Sequence, residues 1–289
     1  MNMTMNILNR FAGRQAILAC CCAIIAASLA GCNGSREDSL SQVKSRGILK
    51  VGVVQNYAPF SYETNGQHRG FESALARRLA LDLFGDENKI KFVDVKLKER
   101  EAFLTSGKVD IILASYTKLP DREKIVDFGA PYMKTAQGLV VRDSAKASSA
   151  REFLNNNKTI IVVKGSVAAK FLWDNYHGMP SLQVDTMEEL LPALLEGRGD
   201  AIMQDVIWLL TLCYNNKDQG LKVIDILDKS NEIKMIAPAV KKGDQALLKW
   251  LNARMEALAK EHFFSKTFDK ELRMYFDTNV DPNAIIIEN

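Results

Sequence analysis

Residues 114 to 128, ASYTKLPDREKIVDF, follow the apolar run VDIILA and bring Thr117, Asp121 and Arg122 to the mouth of a strand. A hydroxyl and backbone amide at Thr117, with Ser115 just before it, and a planar guanidinium at Arg122 suit an anionic group such as a carboxylate. Pro120 fits a first helical turn, where an amide would lack a partner anyway. On spacing alone, Arg122 could equally pair with Asp121 or Asp127 at the surface. VVKGSVAAKF repeats the strand, turn and helix pattern: Gly165 permits close backbone approach, Ser166 suits an N-cap and Lys164 adds positive charge. By itself that stretch also reads as an ordinary helix cap, and it lacks the glycine-lysine spacing of a phosphate loop. Asp205 ends the run DAIMQD, with Gln204 beside it, and its carboxylate could hold an ammonium group. Arg100, in LKEREAFL, supplies a second guanidinium. Carboxylate-binding and ammonium-binding groups together are the chemistry of a free α-amino acid.

These residues must be positioned by an alternating set of strands and helices. ILKVGVV, IKFVDVKL and VDIILAS read as buried strands, with GFESALARRLALDLF and EREAFLTSG as the helices between them. The order then restarts with strands TIIVVKGS, LQVD and DAIMQDV around helices VAAKFLWDNY and MEELLPALLEGRG. Strands alternating with helices predict an α/β fold in which each of two units is a mostly parallel sheet covered on both faces. KMIAPAVKKG and a long amphipathic helix, apolar at Leu247, Leu248, Leu251, Met255 and Leu258, cannot form a third core and are expected to return to the first unit. Two crossings, near GLVV and KMIA, then make a two-strand hinge, with the ligand cleft between the lobes.

The 289-residue chain has 47% hydrophobic and 25% charged residues, the composition of a soluble globular protein. Arg10 and Arg14 contribute two of the net +3 charge, so the remainder carries no basic footprint for nucleic acid. They precede AILACCCAIIAASLAGC, an uncharged stretch shorter than a membrane span, which reads as a secretion signal. LAGC resembles the lipobox of bacterial lipoproteins, with Cys32 as the lipidated residue. The expected divisions are signal 1–31, tether 32–42, first lobe 43–134 and 237–289, and second lobe 135–236. Beyond Cys32 only Cys213 remains, so no disulfide can form within the body, and His68, His177 and His262 are isolated; no metal or other cofactor is expected.

From Val43 onward the chain resembles the polar amino-acid family of solute-binding proteins that feed ABC importers. The resemblance is carried by RGILKVGV, NYAPFSY, GFESALARRLA, LTSGKVDIILASYTKLPDREKIVDFGAPY, IIVVKGS, LLEGRGDAIMQD and APAVKKGD. Within the family it is most similar to cysteine-binding lipoproteins, notably in EHFFSKTFDKEL and DPNAIIIEN. The resemblance implies a two-lobed type II periplasmic-binding-protein fold and a monomeric, non-catalytic receptor facing the periplasm or cell surface, with an importer permease as partner. It implies that Arg122, Thr117 and backbone near Ser115 take the ligand carboxylate, that Asp205 takes the ammonium, and that Gly165 and Ser166 close over the carboxylate. Tyr57 and Phe60 would line the pocket and Arg100 would stand near the ligand side chain. Asn56 replaces a frequent Asp, Leu119 the second Thr of Thr-x-Thr, and Val167 the second hydroxyl of Gly-Thr-Thr, which bears on specificity among cysteine, cystine, glutamate and aspartate. The same fold serves exported cyclohexadienyl dehydratases, but no general acid stands out in TKLPDR, VKGS or MQD. A sensory or adhesive surface lipoprotein is a further alternative.

Overall fold

The computed structural model describes residues 38–145, 149–155, 157–225, 233–276 and 280–288; the expected signal segment, Cys32 and residues 33–37 lie outside them. The chain opens with helix α1 (Ser39–Arg46), followed by β1 (Leu49–Val53), β2 (Tyr62–Thr64), β3 (Gln67–Arg69), α2 (Phe71–Phe84) and β4 (Ile90–Asp94). A 3₁₀ turn (Leu97–Glu99) leads into α3 (Arg100–Thr105), β5 (Ile111–Ile112), α4 (Pro120–Glu123), β6 (Val126–Phe128) and β7 (Met133–Thr135). The middle of the chain holds β8 (Gln137–Arg142), α5 (Ala150–Asn155), β9 (Ile160–Val163), α6 (Val167–Asn175), β10 (Ser181–Val184), α7 (Leu190–Leu195), β11 (Ala201–Asp205), α8 (Val206–Asn215) and β12 (Leu221–Asp225). It closes with β13 (Lys234–Ile236), β14 (Ala239–Lys241), α9 (Gln245–Lys260) and α10 (Phe263–Glu271).

Two five-stranded sheets form the lobes, in the orders β4-β1-β5-β14-β6 and β10-β9-β11-β8-β12. Their centres are the continuous apolar runs of the sequence: every residue of β9 and β11 is buried, as expected of strands covered on both faces. Each sheet is mixed rather than mostly parallel. β1 runs parallel to β4 and β5, whereas β14 is antiparallel to β5 and β6. β9 runs parallel to β10 and β11, whereas β8 is antiparallel to β11 and β12. The reason is the crossing itself: β8 and β14 enter their lobes from the hinge and therefore run against the strands that start from the far end.

The crossing strands are β7 and β13, paired antiparallel with Met133 opposite Ile236 and Thr135 opposite Lys234. KMIA is thus at the hinge as expected, but GLVV lies inside β8, just past it. A third segment joins this ribbon. Met133 bridges Ile286, the Lys134 amide donates to the Ile285 carbonyl at 2.6 Å, and the Ile287 amide donates to the Tyr132 carbonyl at 3.0 Å.

The long return helix α9 buries Leu247, Leu251, Met255 and Leu258, the stripe its spacing predicts. Part of the expected tether is instead the helix α1. The Asp38 side chain accepts from the Ser41 amide, Gly47 ends the helix in a left-handed conformation, Val43 is buried, and the Ser39 hydroxyl donates to Asp244 at the start of α9. A polar composition hid a capped helix that two apolar side chains, buried Val43 and partly buried Leu40, seat on the core. Among the described residues no helix is long and apolar enough to cross a membrane.

Candidate functional site

Asp205 ends β11 and is 4% exposed. It lies opposite Gln137 in the antiparallel pairing with β8, so the two side chains share a face of the sheet. Oδ1 accepts from Gln137 Nε2 and from Thr135 Oγ1, each at 2.8 Å. Oδ2 faces the other lobe and accepts two longer bonds, from Ser115 Oγ at 3.3 Å and Tyr57 OH at 3.4 Å. Burial raises the Asp205 pKa, and these four bonds oppose the rise by favouring the carboxylate. Tyr57 is held well above its ordinary value by burial first and by the Asp205 charge second. Its ring packs on Phe60 at 5.1 Å between centroids and on Trp208 of the second lobe at 6.3 Å, so an aromatic wall spans the cleft.

The facing guanidinium groups come from α3 and α4. Arg100 is 2% exposed, and its N–H groups donate to the carbonyls of Leu97 (2.8 Å), Ala114 (3.0 Å), Ser115 (3.3 Å) and Gly165 (3.1 Å). Arg122 donates to the carbonyls of Thr117 (3.0 Å) and Gly165 (3.1 Å), with Nε 3.9 Å from Glu101. Both lie over the Tyr116 ring, at 4.5 and 4.7 Å from its centroid, a cation–π arrangement that holds two like charges near one another. Burial, and next the Arg122 charge, lower the Arg100 pKa to about 10, so it remains charged at neutral pH. Burial also lowers Arg122, with Tyr116, Glu101 and Asp205 acting in the other direction. Asp121 and Asp127, the surface partners that spacing allowed for Arg122, instead meet Lys124 and Lys170, and Lys242.

At Gly165 the backbone of the second lobe lies against Lys98 of the first. The Gly165 φ is +76°, and a Cβ there would lie 2.7 Å from Lys98 Cα, so glycine is needed twice over. Ser166 caps α6, its Oγ accepting from the Ala169 amide at 3.0 Å. Thr117 Oγ1 is buried with no hydrogen-bond partner among the described residues, an arrangement that suits an incoming acceptor.

The fold therefore gathers Tyr57, Phe60, Arg100, Ser115, Thr117, Arg122, Gly165, Ser166 and Asp205 around one cleft. Three expected residues stand apart from its face. Asn56 is exposed in a turn with φ 53°. Lys164 reaches Asp185, which also pairs with Lys98 across the cleft. Gln204 supports from behind, accepting from the Asp205 amide at 3.0 Å and reaching Met187 Sδ at 3.5 Å.

Sequence reasoning overlooked Thr135, Gln137, Tyr116 and Glu72. Thr135 and Gln137 carry no motif and act through strand register. Glu72 did leave a signal: it shares the buried face of α2 with Ala76, Leu79 and Ala80, an acid where an apolar residue belongs.

Residues 49–274 match the family model described as bacterial extracellular solute-binding proteins, family 3. The ABC transporter glutamine-binding protein GlnH of Bacillus subtilis (strain 168) is 29% identical over 241 residues, 83% of this chain and 86% of its own. A crystal structure of a cysteine-binding protein from Campylobacter jejuni is similar at TM-score 0.82 and 37% identity, over 87% of this chain and 100% of that one. The solute receptor for L-cysteine of Neisseria gonorrhoeae is similar at TM-score 0.80 and 32% identity, over 86% and 99% of the two chains.

Proposed function

The chain belongs to the bacterial extracellular solute-binding proteins, family 3, and from that membership we propose that it captures a polar amino acid, cysteine in the first place, between two closing lobes for delivery to an ABC importer. The observation that carries this reading is the buried Asp205 carboxylate presented across the cleft to Ser115 and Tyr57, with Arg122 on the facing lobe. The two short bonds from Thr135 and Gln137 fix one carboxylate oxygen, while the two long ones leave the other oxygen to a better donor. A ligand ammonium is that donor. Its carboxylate goes to Arg122 and the Thr117 hydroxyl, which leaves the ligand side chain to Arg100 and the aromatic wall.

Energetics favour a closing site for so small a ligand. At a ceiling of about 1.5 kcal/mol per heavy atom, cysteine can gain only about 10 kcal/mol, against about 8.2 for a micromolar constant. Nearly every polar ligand atom must then be paired and kept from water, which one open lobe cannot achieve. Similarity to the two cysteine receptors supports cysteine over glutamine, cystine, glutamate or aspartate. The signal and Cys32 lipobox support export with a lipid anchor, leaving a monomeric body near the membrane.

Thermal-shift screening against the amino acids and cystine, followed by titration calorimetry, tests this. Arg122→Ala and Asp205→Ala are expected each to weaken binding at least about 100-fold while the proteins stay folded, because each leaves a buried ligand charge unpaired. Unchanged affinity in both variants removes the assigned clamp.

A further inference from the structure

Glu72 is a fully buried carboxylate in the first turn of α2 that the binding scheme above does not use. Its Oε1 accepts from the Ser115 backbone amide at 2.7 Å and from the Tyr132 hydroxyl, while Oε2 has no hydrogen-bond partner among the described residues. Ser115 has φ 45°, a left-handed conformation that a residue other than glycine keeps only where its surroundings hold it. That conformation is what lets one residue do two things. The Ser115 amide turns back to Glu72, and the Ser115 hydroxyl turns forward to Asp205 on the second lobe. Tyr132 immediately precedes the crossing strand β7, so the same carboxylate also ties the hinge entrance to the binding loop.

We propose that Glu72 is a positioning residue for ligand capture: it holds Ser115 in the left-handed turn that sets the Ser115 hydroxyl beside Asp205 Oδ2, where it lines the place the ligand ammonium takes. The proposal rests on the functional reading above. Groups that face Glu72 come from four places: Tyr132 before β7, Arg100 on α3, Asp205 at the end of β11, and Tyr57 after β1. Burial dominates among these influences and lifts the Glu72 pKa to about 7, with the Tyr132 and Ser115 bonds and Arg100 opposing the rise and Asp205 adding to it. The ionised carboxylate is the stronger acceptor of both bonds. Ser115 is therefore held more firmly as pH rises through about 7, and affinity rises with it.

Two measurements on the exported body test this. In ligand-free protein, the NMR shift of the Ser115 amide proton is expected to titrate with a midpoint near 7 and to stay flat in Glu72→Gln. By calorimetry with L-cysteine, wild-type affinity is expected to rise about three- to tenfold from about pH 5 to about pH 8, a step that Glu72→Gln lacks. Glu72→Ala is expected to lose at least about tenfold at the higher pH, and Glu72→Gln to recover part of that loss by restoring a neutral acceptor. A Ser115 amide that ignores pH, or moves equally in Glu72→Gln, overturns the proposal, as does wild-type affinity in Glu72→Ala. If no amino acid binds the wild-type protein, the functional reading fails while the amide titration still decides whether Glu72 holds Ser115.

Discussion

Gly165 carries two constraints at once, a positive φ and a backbone contact with Lys98 on the other lobe. Its carbonyl is also the point where Arg100 and Arg122 both donate, so the closed cleft converges on one peptide group. Gly165→Ala should lower the melting temperature of the ligand-free protein by a few degrees, because a φ of +76° strains any side chain whether or not ligand is bound. It should weaken ligand binding about tenfold or more, since closure then requires both a strained turn and a backbone shift. Calorimetry alongside thermal melting checks the split; equal loss of stability and affinity would point to misfolding of the turn instead. Arg122, Asp205 and Gly165 were legible in the sequence as candidates because each ends or follows a predicted strand and the family resemblance gives it a ligand role. Thr135 and Gln137 were not, because a threonine and a glutamine become meaningful only when pairing sets them beside a carboxylate.

At the level of elements, the hinge departs most from expectation. Ile286 makes an isolated β-bridge to Met133 of β7, flanked by the backbone bonds of Ile285 and Ile287, and is buried, and the Glu288 carboxylate accepts from the Phe264 and Ser265 amides at the start of α10. The tail thus fastens Met133 and Lys134 to the first lobe and leaves bending to the residues beyond them, where Thr135 and Gln137 hold Asp205. A chain ending at Asp281 loses that apolar burial and the helix cap, together worth about 2 to 4 kcal/mol. The melting temperature should fall by about 5 to 15 °C for a chain of this size, measured by calorimetry. No change would mean that two crossings alone set the ribbon's stability. DPNAIIIEN shows no strand period on its own; it pairs because β7 offers an open edge.

For the whole molecule, the question is what holds the lobes together. Lys98 meets Asp185 and Lys170 meets Asp121 across the cleft, but these side chains are between 41% and 68% exposed, so each pair is weak and is screened by salt. The buried contacts at Gly165 and Asp205 are screened far less. Asp185→Asn should therefore weaken ligand binding by no more than about fivefold and flatten its dependence on salt, as read by calorimetry at low and high ionic strength. A loss approaching that of Asp205→Ala would move the main closing force to the rim of the cleft.

The sequence by itself determined the alternation of strands and helices, the apolar stripe of α9 and the kinds of charge available at the strand ends. Those properties depend on neighbours within a few residues, where periodicity and capping act. Only the tertiary structure decided that both sheets are mixed, that the tail completes the hinge, and that Glu72 lies beneath Ser115. Glu72 and Ser115 are 43 residues apart, and Gln137 and Asp205 are 68 apart. Such pairs meet because strand register and the burial of both lobes are settled together, by a free energy that no local stretch of chain contains.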